Sequence, residues 1–71
     1  MSTLDNFSLD TKQKVWVLND NLSGAGYFIS KDHRTRGWVL HRHTLASEIR
    51  WSSSLKNLDC WITRNVEEVT P

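Results

Sequence analysis

The sequence predicts an α+β domain: a three- to four-stranded antiparallel sheet in ββββα order, with one C-terminal amphipathic helix packed on one face. Three observations predict it. Short β-branched and aromatic runs between residues 14 and 52 are separated by turn residues. Leu55, Leu58, Ile62, Val66 and Val69 recur at helical spacing, with Trp61 at the border of the stripe. That stripe must bury itself, and a sheet is the only other layer the chain supplies.

Residues 1–11 read as a flexible tail and 12–71 as one small domain. Within the tail, Leu4, Phe7 and Leu9 are isolated apolar residues whose spacing fits neither helix nor strand. Lys14–Leu18 (KVWVL) predicts the first strand. Asn19–Gly26 (NDNLSGAG) predicts a wide hairpin loop, and Tyr27–Ser30 the second strand. Lys31–Arg36 (KDHRTR) predicts a charged turn closed by Gly37, followed by a third strand over Trp38–Arg42. Thr44–Ser47 reads as a connection and Glu48–Ser52 as a short fourth strand. Ser52, Ser53 and Ser54 then supply caps for the helix. Glu67 and Glu68 sit where the helix dipole favours cations, so the last turn is expected to fray.

A chain of 71 residues buries only ~60% of its unfolded surface and needs staples or large core residues. Its single cysteine, Cys60, excludes an internal disulfide. Four tryptophans, two phenylalanines and one tyrosine supply the bulk instead. A lone thiol fits a reducing compartment. With no apolar run near the N-terminus, the expectation is a cytoplasmic protein without a membrane span.

Strand alternation assigns faces. Trp38, Leu40, Ile49 and Trp51 are expected on the helix side, leaving His41, His43, Glu48 and Arg50 on the open face. The first two strands are apolar on both faces, so an open face with spare large apolar residues is expected.

Catalytic and metal chemistry are weakly represented. His41-x-His43 has strand spacing for two metal ligands, but a closed zinc site needs four, and only His33 and Cys60 remain. Cys60 has no evident base, and Ser23–Gly26 (SGAG) precedes a strand, not the helix that a phosphate loop requires. The expectation is a non-enzymatic protein with no cofactor.

The net charge of +1 is unevenly spread. Residues 31–50 hold Lys31, Arg34, Arg36, Arg42 and Arg50 against Asp32 and Glu48, together with all three histidines. The candidate nucleic-acid-binding residues are therefore Lys31, Arg34, Arg36, His41, His43 and Arg50, in the 31–36 turn and on the open sheet face. The alternative reading is a protein-interaction module or a small regulator or inhibitor, of the kind mobile elements encode. It would act through an exposed sheet edge or aromatic patch, with homodimer formation as one form of it.

The order of a Gly37-Trp38-Val39 strand, a Glu48-Ile49-Arg50-Trp51 strand and then a helix resembles two groups of DNA-binding domains. One is a plant type; the other is the arm type of phage and transposon integrases. The resemblance covers roughly residues 27–69 and implies a three-stranded sheet laid on DNA. The arginine-dense first strand of the plant type is missing here, and no site residue is carried over.

Overall fold

The computed structural model describes residues 4–69, the side chain of Val69 excepted. Residues 1–3 of the expected tail, the Val69 side chain and residues 70–71 lie outside what is described. The elements run β1 (Phe7–Asp10), β2 (Val15–Leu18), α1 (Asp20–Gly24), β3 (Tyr27–Asp32), β4 (Gly37–Arg42), β5 (Thr44–Ser52) and α2 (Leu55–Asn65), closed by a 3₁₀ turn at Glu67–Val69. The class is α+β. The strands form two antiparallel sheets, β1–β2 and β3–β4–β5, in place of the expected single sheet.

Two local features divide the sheet. The segment expected as a hairpin loop contains a helical turn. Asn19 caps it by accepting from the Leu22 amide at 2.9 Å, and Leu22 is fully buried. Burying that leucine in the core gives the turn a tertiary anchor that its polar composition does not advertise. The chain therefore leaves β2 through a helix, and β2 finds its partner on the other side. Residues 7–10, expected within a loose tail, are that partner: Phe7 lies opposite Leu18 and Asp10 opposite Val15.

The N-terminal segment is held by side-chain chemistry that periodicity does not register. Asn6 is fully buried, and its backbone N–H donates to Asp59 Oδ1 at 2.8 Å. Phe7, 2% exposed, enters one core with Leu22, Tyr27, Leu40, Leu58, Ile62 and Val66. Trp16, Ile29, Trp38 and Trp61 are partly buried against it.

Helix α2 starts at Ser54, whose hydroxyl accepts from the Asn57 amide at 3.1 Å. It ends four residues before Val69, because Val66 turns extended at φ −108° and ψ 120°. Leu58 and Ile62 are fully buried.

Strand β5 begins at Thr44, so the expected 44–47 connection is part of it. Its face assignment also differs from expectation. Trp51 lies opposite Val39, and Arg50 opposite Leu40. Arg50 therefore shares the helix side, its guanidinium 5.7 Å from the Trp61 ring centroid. Trp51 and Ile49 remain 45% and 38% exposed, although hydrophobicity alone had assigned them inward. A register shift between Leu40 and His41 places Glu48 beside His41. Glu48 and Arg50, two residues apart, thus fall on opposite faces.

Candidate nucleic-acid interface

Two of the three hairpins, β1–β2 and β3–β4, are closed by the same kind of turn. The first is Asp10-Thr-Lys-Gln-Lys14 and the second Asp32-His-Arg-Thr-Arg36. In each, the leading aspartate folds its carboxylate back over the turn. Asp10 Oδ1 accepts from the amides of Lys12 at 3.0 Å and Gln13 at 3.3 Å. Asp32 Oδ1 accepts from the Arg34 amide at 3.0 Å. Such aspartate-headed turns replace missing backbone bonds with a side-chain acceptor. Each turn ends on a basic residue in the left-handed region, Lys14 at φ 57° and Arg36 at φ 60°.

This arrangement separates the charges. The carboxylates face inward onto amides, and hydrogen bonding from the Thr35 side chain holds the Asp32 carboxyl below its ordinary value. Lys12, Lys14, Arg34 and Arg36 all stay exposed. Lys31 joins them: its Nζ lies 4.2 Å from the Trp38 ring centroid and donates to the Arg36 carbonyl at 3.1 Å.

A cleft is lined by residues of the first hairpin and of the β3–β4 hairpin. Lys14, Val15 and Trp16 form one wall, and Ile29 and Trp38 the other, around about 210 Å³. Lys14 thus stands across the cleft from Trp38, the ring that Lys31 covers. A second hollow of about 240 Å³ shares Trp16 and Ile29 with it and is lined also by Phe7, Leu18, Tyr27 and Phe28. Strands β2 and β3 are not paired with each other, so two open strand edges border this groove.

Of the six residues singled out from sequence, Lys31, Arg34 and Arg36 come together here. His41 does not: it is 2% exposed, stacked on Phe28 with ring centroids 4.9 Å apart, and its Nε2 lies 2.6 Å from Ser30 Oγ. His43 lies in the opposite turn of the β4 strand, where a φ of 69° breaks the strand alternation that would have set it beside His41. Its amide donates to the Gly26 carbonyl at 2.9 Å, and its ring packs on that glycine, which only a residue without a Cβ permits. Arg50 lies on the helix side. The outward face is built from Phe28, Ser30, Val39, His41, Glu48 and Trp51, with no lysine or arginine among these paired positions.

No protein-family model, no curated protein and no solved structure matches this chain. The chemistry of the site therefore rests on its own geometry. Lys12, Lys14 and Trp16 were not singled out from sequence. The signal that finds them is the repeated Asp-x-basic-x-basic spacing, which is short enough to pass as two unrelated polar turns.

The other cations and ligand types are placed elsewhere. Arg42 forms an ion pair with Glu68 at 3.2 Å, and its guanidinium lies 4.8 Å from the Tyr27 ring centroid. Among the described residues no three His, Cys, Asp or Glu side chains converge as a metal set, and Cys60 is exposed. No helix among them is long and apolar enough to cross a membrane.

Proposed function

We propose that this chain is a small non-enzymatic nucleic-acid-binding protein, and that its phosphate contacts come from the twin basic turns at 10–14 and 32–36. The observation that carries this reading is their shared design, with Lys14 of the first turn lining the same cleft as Trp38, the ring that Lys31 covers. Each turn directs its aspartate inward and its two cations outward, and Lys31 adds a fifth positive charge beside them. Exposed Lys and Arg side chains on turns reach phosphate oxygens without steric demand on the sheet. The reading moves the interface expected from sequence. It keeps Lys31, Arg34 and Arg36, adds Lys12 and Lys14, and does not use the outward sheet face. It also takes a cytoplasmic setting, where nucleic acid is accessible.

A salt titration of binding to mixed-sequence DNA and RNA tests it. About four to five phosphate contacts give a slope of log K against log salt of about −3 to −4.5. Lys12→Glu or Arg34→Glu is expected to flatten that slope by about one and to weaken binding across sequences alike. Absence of salt-dependent binding at ~50 mM salt overturns the reading.

One observation favours a protein partner as the second reading. Strand β5 forms an edge of its sheet, and Leu45, Ile49 and Trp51 on it are 67%, 38% and 45% exposed. An exposed apolar edge is a surface for strand pairing, including pairing with a second copy. The register shifts along β5 oppose regular pairing, which places this reading second. Size measurement by sedimentation across a concentration series tests the homodimer form, and a strict monomer removes it.

A further inference from the structure

We infer that the cleft between β2 and β3 is a base-binding subsite, and that the nucleic acid it serves is single-stranded. The inference rests on the reading of the twin turns as phosphate contacts. Three features of the cleft carry it further than that reading.

The first is the lining. Trp16 and Trp38 line the same cleft, with Val15 and Ile29 completing apolar walls. Indole rings are the best stacking partners a side chain offers to a nucleobase, and stacking of this kind tolerates any sequence. The second is size. A volume of about 210 Å³ equals roughly seven waters at ~30 Å³ each. That accepts one planar ring system. The third is position. Lys14 stands at the cleft itself, and Lys31 and Arg36 adjoin it through Trp38, so a base entering the cleft brings its own phosphates to the basic turns.

A duplex cannot use this site, because its base faces are buried in the stack and only an unpaired or extruded base can enter an apolar cleft. The unpaired edges of β2 and β3 add backbone donors and acceptors along the groove, which can meet the polar rim of a base. The same edges and cations would also suit an extended acidic peptide. Two tryptophans in one cleft beside Lys14 favour the base, and the peptide enters as an outcome of the test.

The experiment uses the unaltered full chain and four probes at ~50 mM salt: a thymidine dodecamer, a dodecamer of abasic sites, a twelve-base-pair duplex and poly-glutamate. Binding is read by anisotropy, and the four tryptophan indole N–H resonances report the location. The thymidine strand is expected to bind about ten-fold or more tighter than the abasic strand and the duplex. The Trp16 and Trp38 resonances are expected to move, while those of Trp51 and Trp61 stay in place. Equal affinity for the abasic and thymidine strands overturns the base subsite and leaves the phosphate reading standing. Movement at Trp51 in place of Trp16 and Trp38 overturns the location. Poly-glutamate binding as tightly as thymidine, with the same cleft resonances moving, assigns the groove to an acidic peptide and overturns the base. If no probe binds, the inference and the reading beneath it both fall.

Discussion

The Asn6 side-chain amide donates to Asp59 Oδ1 at 2.7 Å, joining the N-terminal segment to the middle of α2 across 53 residues of sequence. The same amide reaches the Asp59 carbonyl at 3.1 Å and Thr63 Oγ1 at 2.9 Å, and the Asp5 amide donates to Asp59 Oδ2 at 3.3 Å. Asp59 is 6% exposed and is stabilised by these donors without a cation among its hydrogen-bond partners. Hydrogen bonds to a buried charged group each contribute about 1.5–3 kcal/mol. Asn6→Ala is therefore expected to destabilise the fold by about that amount in urea melts. Hydrogen exchange should locate the loss first in β1, whose only strand partner among the described residues is β2. Uniform loss of protection across β3–β5 at the same rate would mean that the Asn6–Asp59 link does not act locally.

The core makes a second prediction. Leu40, Leu58 and Ile62 are fully buried in one cluster. Truncating any of them to alanine is expected to cost ~2–5 kcal/mol, a large fraction of the stability of so small a domain. Trp51→Ala on the outward face should cost much less, since that ring is half exposed and its indole N–H meets only Thr35 Oγ1, at 2.8 Å. Equal losses at Leu58 and Trp51 in thermal melts would contradict the assignment of faces.

The left-handed residues that close the twin turns separate stability from binding. A side chain with a Cβ costs roughly 1–2 kcal/mol in that region, and glycine removes this at an entropic cost of about 0.5–1. Lys14→Gly and Arg36→Gly are each expected to leave stability unchanged or raise it by up to about 1 kcal/mol. Each should also remove one phosphate contact, flattening the salt slope by about one. A variant that lost both stability and binding would show that the basic side chain serves the fold.

The Asp32 carboxyl supplies the pH prediction. Hydrogen bonding from Thr35 lowers its folded-state value below 3.8. A lowered carboxyl favours the folded state above the unfolded value, and that contribution fades as pH falls through the folded one. Carbon-detected titration should place the Asp32 midpoint below 3.8. Thr35→Val should move it upward toward the ordinary value. An unchanged midpoint in Thr35→Val would assign the lowering to the Arg34 side instead. The pH dependence and the Trp51 position are linked, because the same hydroxyl accepts from the Trp51 indole.

Much of this was legible in the residues themselves. Alternation and β-branched content marked the strands at 15–18, 27–32 and 37–42 to within two residues. Helical spacing marked α2, and the serine run supplied its cap. The α+β class follows from local chemistry, which is written in the order of the residues; so does the basic turn, although Lys31 and Asp32 extend β3 and leave the turn proper at 33–36. Tertiary structure decided the rest. Asn6 and Asp59 meet across 53 residues, and no local pattern makes a polar tail into a strand anchored by a buried Asn6 and Phe7. Leu22 turned a loop into a helix by finding the core, which split the sheet in two. Pairing register then decided that Arg50 faces the helix and Trp51 faces water, since alternation supplies two faces but not which one is buried. The twin turns were spelled out in sequence, but the cleft that Lys14 and Trp16 share with Trp38 was not. Two hairpins can line one cleft only once a shared core fixes how they pack.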